Sequence, residues 1–176
     1  MSYRIRPARA ADADVLAAME SAAAQRFGDI GLTAIAQGRP PERAEYERQI
    51  AEELAWVAET ASGEREIVGL ALADVVDGQG FLAELSVHPD HGRQGLGRRL
   101  TQAVEAWAEA SGFGTLSLTT FDSVPWNRPY YECLGFSVLD DENIGPELRR
   151  LREGERARGL DDLSPRVCMR KSLLKS

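Results

Sequence analysis

Residues Phe81 to Gly112 read FLAELSVHPDHGRQGLGRRLTQAVEAWAEASG, and the reading of this stretch decides the fold. Phe81 to Val87 is an apolar run of strand length, closed by the turn-forming Pro89 and Asp90. A glycine-rich loop follows, His91-Gly92-Arg93-Gln94-Gly95-Leu96-Gly97, and then a helical pattern with Leu96, Leu100, Val104 and Trp107 on one stripe. Strand, glycine loop and helix N-terminus together make an anion site. The first amides of a helix have no partner inside it, and the dipole places about half a positive charge there. Gly95 and Gly97 keep side chains out of the approach to those amides.

Three phosphate-binding devices share this layout. A nucleotide-hydrolysing loop needs Lys-Ser or Lys-Thr after its glycines, and none follows here. A dinucleotide fingerprint needs G-x-G-x-x-G and an acid about 20 residues further on. Gly92, Gly95 and Gly97 give G-x-x-G-x-G instead, and Asp122 lies too late. The third device fits. Leu85-Ser86-Val87-His88-Pro89, then Arg93-Gln94-Gly95-Leu96-Gly97, resembles the acetyl-CoA-binding motif of the GNAT superfamily of N-acetyltransferases. The resemblance implies that the amides of Arg93, Gln94, Gly95, Leu96, Gly97 and Arg98 take the pyrophosphate of coenzyme A. It also counts Leu85, Ser86 and Val87 among the cofactor-binding residues, with the Leu85 amide stabilising the thioester oxyanion. Gly92 departs from the family, which usually carries Gln or Arg there; because the phosphate contacts are mostly main-chain, the departure is small.

A second signature lies downstream. Tyr131-x-x-x-Gly135-Phe136 resembles the GNAT pattern in which a tyrosine precedes a Gly-Phe pair and protonates the departing thiolate. A phenol with a pKa near ~10 can do so only when held within hydrogen-bond reach of the sulfur. The competing residue is Tyr130, whose spacing to the Gly-Phe pair does not match. Family members often carry Asn and Ala upstream of this tyrosine, where Val124 and Asn127 stand here, so Asn127 is a candidate coenzyme A contact within a subgroup pattern. By the same resemblance Glu84 is the candidate general base toward the acceptor amine; the other reading is a salt-bridged or solvent-edge glutamate. Strand alternation puts Glu84 and Ser86 on one face and Leu85 and Val87, read with Leu82 as buried, on the other. His88 and His91 flank the Pro89 turn and are expected to face solvent. Trp126 reads either as packing or as a wall of the acceptor pocket.

Composition narrows the function classes. With 176 residues and 43% hydrophobic content, the chain has room for one domain with an adequate core. Net charge is −7 with scattered arginines, which argues against a nucleic-acid partner. Two cysteines, Cys133 and Cys168, and two histidines lack metal-ligand spacing, so no metal is expected. No segment reaches signal-peptide or membrane-span length, so a cytoplasmic protein with no membrane partner is expected.

Taken in order, Tyr3 to Pro7 alternates as a strand, with Arg4 and Arg6 facing away from Tyr3 and Ile5. Asp12 is the expected N-cap of a helix with Val15, Leu16, Met19, Ala23 and Phe27 on one stripe, closed by Gly28. Asp29 to Arg39 reads as loop, and Pro40-Pro41 opens a second helix carrying Tyr46, Ile50 and Leu54. Phe27, Leu32, Ile35 and Tyr46 read as core or as acceptor-pocket lining. Strands are expected at Ala55–Thr60 and Ile67–Val76 around a Ser62-Gly63-Glu64 turn, and Asp77-Gly78 marks a hairpin into Phe81–Val87. The long helix stops at Ser111-Gly112, and Thr115–Phe121 returns parallel to Phe81–Val87 by a right-handed crossover. A short helix over Arg128–Leu134 with Gly135 as its left-handed stop, a strand at Phe136–Leu139, a charged helix over Gly145–Gly159 with Leu148, Leu151 and Ala157 inward, and a closing strand at Arg166–Leu173 complete the chain.

The resemblance implies a GNAT-like α/β fold: a mixed, mostly antiparallel sheet of about seven strands, helices on both faces, and the cofactor between two splayed parallel strands. It implies transfer of the acetyl group of acetyl-CoA, a cosubstrate, to a small-molecule or peptide amine. A non-catalytic acyl-CoA-binding regulatory module is the alternative. The acceptor cannot be read, and neither can the oligomeric state, although homodimers are common among such chains.

Overall fold

A computed structural model describes residues 2–61 and 63–174. Seven strands form one mixed sheet: β1 (Tyr3–Pro7), β2 (Ala55–Thr60), β3 (Ile67–Val76), β4 (Gln79–Val87), β5 (Thr115–Phe121), β6 (Ser137–Val138) and β7 (Arg166–Ser172), in the order β1-β2-β3-β4-β5-β7-β6. Pairing is antiparallel for β1 with β2, β2 with β3, β5 with β7 and β6 with β7. β4 runs parallel to β5, with Gly80 opposite Leu116 and Phe81 opposite Ser117. The helices are α1 (Ala13–Ala24), α2 (Thr33–Ala36), α3 (Arg43–Ala51), α4 (Leu96–Ala110), α5 (Arg128–Cys133), α6 (Pro146–Ala157) and α7 (Leu160–Leu163). The chain divides into two compact units, Met1–Ala73 with Glu84–Val104 and Asp74–Ala83 with Glu105–Ser176.

In the first unit, Leu16 and Met19 of α1 and Tyr46 of α3 pack with Ala55, Val57, Leu70 and Leu72 of the sheet, and all are buried. Burying such side chains contributes about 1.5–3 kcal/mol each for the larger ones, which is what holds the two short helices on the sheet. Leu96, Leu100 and Val104 of α4 are buried as their spacing predicts. Gly69 is needed where the helix comes close, because a β-carbon there would lie 3.0 Å from the Leu100 side chain and 3.2 Å from Ala58.

Several local expectations are corrected here. Asp12 stands at the N-cap of α1 as expected, but its side chain makes no capping bond there: its carboxylate turns back to the Arg9 amide (2.6 Å) and the Arg6 guanidinium (2.7 Å). Arg6, whose other partner is Glu59 at 2.8 Å, is itself buried, an ion cluster that strand alternation could not signal. α1 ends at Ala24 and continues as a 3-10 turn, so the left-handed stop is Gly31 (φ 82°) rather than Gly28. Val15 is 47% exposed, off the buried stripe. The segment read as loop contains α2, and Leu54 is buried just beyond the end of α3. Ser62, part of the expected turn, lies outside the described residues. Leu85 and Val87 are half-buried rather than buried, and so are His88 and His91; the His91 ring sits 3.0 Å from the Tyr3 hydroxyl.

In the second unit, Phe81, Leu148 and Cys168 form a buried cluster flanked by Val76, Leu139, Ile144 and Leu151. Burial pushes the Cys168 thiol up to about 11, so it is inert at neutral pH, while Cys133 is exposed. The Asp77-Gly78 turn has both residues at positive φ (53° and 68°), the hairpin geometry its sequence predicts. Asp77 has a second use. Its carboxylate accepts from the amides of Glu147 (2.8 Å) and Leu148 (3.1 Å), capping α6 from the hairpin. Ala157 is exposed, and the inward face of α6 instead carries Arg152 and Glu155, each 4% exposed. They belong to a network of Arg152, Glu155, Asp161, Arg166 and Thr119. The strand expected at Phe136–Leu139 shortens to Ser137–Val138.

Candidate active site

Strand β4 ends at Val87, a 3-10 turn spans Pro89–His91, and α4 begins at Leu96. Arg93 and Gly95 both adopt the left-handed region, at φ 59° and 72°, so the chain turns sharply into the helix. The amide of Arg99 donates to the Gly95 carbonyl at 3.1 Å, which makes Gly95 the residue that caps the helix. Among the described residues, the amides of Arg93, Gln94, Gly95, Leu96, Gly97 and Arg98 donate to no acceptor in the chain. Helix geometry alone leaves only the first turn unbonded; the loop extends that row backward by two residues. A β-carbon built on Gly95 would meet nothing within 4 Å. The row of donors lies at the positive end of a 15-residue helix, with open space where a Gly95 side chain would be.

On the same unit, β4 presents Glu84 and Ser86 on one face. The Ser86 hydroxyl donates to Glu84 Oε1 at 2.6 Å, as alternation predicts. α1 contributes Glu20 and α3 contributes Tyr46, whose ring is fully buried and whose hydroxyl donates to Glu20 Oε2 at 2.6 Å. Burial and then the charge of Glu84 push the Glu20 carboxyl up to about 8, against the lowering effect of the Tyr46 hydroxyl bond. Sequence reasoning missed Glu20. Its signal was a glutamate adjoining the buried stripe of α1, next to Met19, which reads as an ordinary boundary position. Tyr46 resolves as core, with a polar tip aimed at that carboxyl.

The second unit carries Asn127 and Tyr131. α5 starts at Arg128 with Pro129 in its first turn, and Gly135 (φ 93°) stops the chain where the spacing predicts. The Tyr131 amide donates to the Asn127 carbonyl (3.0 Å), and the Phe136 amide to the Tyr131 carbonyl (3.1 Å). The half-buried Tyr131 ring meets Phe136 edge-on at 5.8 Å and Tyr130 at 5.5 Å. Gly135-Phe136 thus serves Tyr131 directly, since Phe136 braces its ring and Gly135 allows the reversal. Asn127 Nδ2 donates to the Thr120 hydroxyl at 2.7 Å, and its Oδ1 is buried with no donor among the described residues.

Comparison with known proteins identifies the family and the fold. Residues 18–136 match the model of the acetyltransferase (GNAT) family. The fold is similar to that of the PaiA N-acetyltransferase from Thermoplasma acidophilum, solved with coenzyme A, at TM-score 0.68 and 15% identity over 98% of this chain and 99% of that one. It is also similar to the ribosomal-protein-S18-alanine N-acetyltransferase from Escherichia coli, at TM-score 0.68 and 19% identity over 99% and 96%. N-acetylglutamate synthase from Neisseria gonorrhoeae, solved with coenzyme A and N-acetyl-glutamate, matches at TM-score 0.70 and 19% identity over 99% of this chain and 36% of that longer one. Among the described residues no helix is long and apolar enough to cross a membrane.

Proposed function

Because the chain belongs to the GNAT acetyltransferase family, we propose that it is a single-domain enzyme moving the acetyl group of acetyl-CoA to a primary amine, by direct attack within a ternary complex. The observation that carries this reading is the row of undonated amides from Arg93 to Arg98 at the start of α4. Those residues fit the group: fixed main-chain donors, a helix dipole and a glycine without a side chain are what a diphosphate requires. Bound acetyl-CoA supplies an activated thioester. Solved neighbours containing coenzyme A support the same cofactor.

In this mechanism Glu84, half-buried on β4 with its Oε1 accepting from the Ser86 hydroxyl, takes a proton from the acceptor ammonium. The amine nitrogen then bonds to the carbonyl carbon and the carbon–sulfur bond breaks. The Leu85 amide stabilises the oxyanion that develops between these events. Tyr131 donates its phenolic proton to the departing sulfur. Leu85, Ser86 and Val87 lie along the carrier, and Asn127 offers an amide contact to it. The acceptor is a small-molecule or peptide amine; neighbours named for an amino-acid product and for a ribosomal protein substrate show the range of acceptors that this fold serves. A homodimeric cytoplasmic enzyme is in keeping with this reading.

Isothermal titration with acetyl-CoA is the test. Saturable binding, followed by coenzyme A release in the presence of an amine panel, is expected; absence of binding at millimolar concentration would remove the proposal. Binding without transfer to any amine would favour a regulatory module.

A further inference from the structure

Tyr3 of β1 touches the glycine loop of the first unit at both of its ends, and the transfer mechanism does not use it. Ahead of the row of donor amides, the Tyr3 hydroxyl lies 3.0 Å from Nδ1 of His91, and the two rings meet edge-on with centroids 5.8 Å apart. Behind the row, the Tyr3 carbonyl accepts from Arg99 Nη2 at 3.1 Å. Resting on the reading of Arg93–Arg98 as the seat of the coenzyme A pyrophosphate, we infer that Tyr3 is a positioning residue. It holds the loop in its binding shape before the carrier arrives, and so sets the affinity for the carrier rather than the rate of transfer.

The loop has few bonds of its own. The His88 amide donates to the Val68 carbonyl at 2.9 Å, and the 3-10 turn closes as the amides of His91 and Gly92 donate to the carbonyls of His88 and Pro89 at 3.0 Å each. Beyond Gly92, among the described residues, no amide donates within the chain until that of Arg99 donates to the Gly95 carbonyl. Leu96 and Leu100 are buried, so the core anchors the helix side. The side ahead of the helix carries strain instead. Arg93 stands at φ 59°, a region unfavourable to any residue with a side chain, and such a conformation persists only where contacts outside the segment hold it. His91 lies two residues before Arg93, and Tyr3 is its partner on a strand fixed by its own pairing, Tyr3 opposite Thr60 of β2. A phenolic hydroxyl both donates and accepts, so the bond is kept in either neutral tautomer of the imidazole. His88 completes the packing, with its ring centroid 5.9 Å from that of His91. A loop already fixed in its bound shape loses less entropy when its ligand binds.

Calorimetric titration with coenzyme A across a double-mutant cycle tests the assignment. Tyr3→Phe and His91→Ala should each raise Kd about 3–10-fold, the worth of one net hydrogen bond. The double variant should bind within about twofold of either single one, because both remove the same contact. His91→Asn, whose amide meets the hydroxyl in place of Nδ1, should restore Kd to within about twofold of wild type. In a coupled thiol assay the loss should fall on the KM for acetyl-CoA, with kcat at saturation within about twofold of wild type. Single variants that keep the wild-type Kd, effects that multiply in the double variant, or a fall in kcat with KM unmoved would overturn the assignment. Amide hydrogen exchange of the unliganded protein separates this inference from the transferase reading. Tyr3→Phe should speed exchange at His91, Gly92 and Arg99 while the amides between β2 and β3 keep their wild-type rates. Faster exchange in a protein whose wild type does not bind coenzyme A would sink the transferase reading and leave Tyr3 as the anchor of the loop. Unchanged exchange in a protein whose wild type binds it would sink only the role of Tyr3.

Discussion

Replacing Gly95 with Ala probes the phosphate cradle with a single methyl group. Gly95 sits at φ 72°, and a β-carbon there would touch no protein atom within 4 Å. The protein therefore feels only backbone strain, about 1–2 kcal/mol for a non-glycine residue in the left-handed region. For a chain of this size that lowers Tm by roughly 2–8 °C. Strain is the same in free and liganded protein, so it cancels from the binding constant. Loss of affinity must then come from the methyl meeting the ligand. If a diphosphate lies on these amides, displacing it by one charge-assisted hydrogen bond costs about 1.5–3 kcal/mol, a roughly 10–150-fold rise in Kd. Calorimetry with coenzyme A and a thermal melt on the same sample separate the two effects. A Tm drop of the expected size with Kd unchanged within twofold would refute the placement of the diphosphate, and with it the function built on that cradle.

Four further outcomes follow from the geometry. Tyr131→Phe should lower kcat by about 100-fold or more with the coenzyme A Kd unchanged; an undiminished kcat in a coupled thiol assay transfers the acid role to another group. Glu155→Ala should cost about 3–5 kcal/mol by urea denaturation, since it leaves Arg152 and Arg166 without a carboxylate that accepts from both. Burial is the largest single influence on that carboxyl and raises it, but Arg166, Thr119 and Arg152 together outweigh it and hold it below its usual range, so its stabilisation is present above the ordinary glutamate value and fades as pH falls below it; the urea midpoint of wild type should approach that of the variant at pH 3. Glu20 runs the other way. Its raised value means that the folded state holds a proton the unfolded chain releases, so wild type loses stability between about pH 4.3 and 8. At about 1.4 kcal/mol per pH unit, Glu20→Gln should gain about 2–5 kcal/mol on wild type between pH 5 and 8.5 in parallel urea melts, and parallel curves at both pH values would refute the shift. Gly145→Ala drives a β-carbon into the Asp77 carboxylate and should cost about 1–2 kcal/mol through loss of the cap on α6, an effect that Asp77→Asn should reproduce in part.

How far residues alone reached depended on how local each cause is. β2, β3, β5 and α4 matched their expected bounds because period-two and period-3.6 patterns, Asp77-Gly78 and Gly112 act on a few neighbouring residues. The strand, glycine loop and helix start on which the proposed cradle rests were legible for the same reason: they are consecutive, and the donors are main-chain atoms that every sequence carries. Tyr131, the proposed acid, was singled out by its spacing to Gly135 and Phe136, and Phe136 meets its ring edge-on. What lay beyond reach involves side chains far apart in sequence. Arg6 with Glu59, Arg152 with Arg166, and Glu20 with Tyr46 and Glu84 have no periodicity, and each alone reads as a surface charge or a core aromatic. Composition and order thus determined the elements, their sequence along the chain and the place of the glycine loop at the start of α4, since these depend on local sterics and main-chain donors. Tertiary structure alone decided which charged groups are buried and which carboxyls are pushed out of their usual range. Those outcomes depend on desolvation and on partners that meet only once the helices have packed on the sheet.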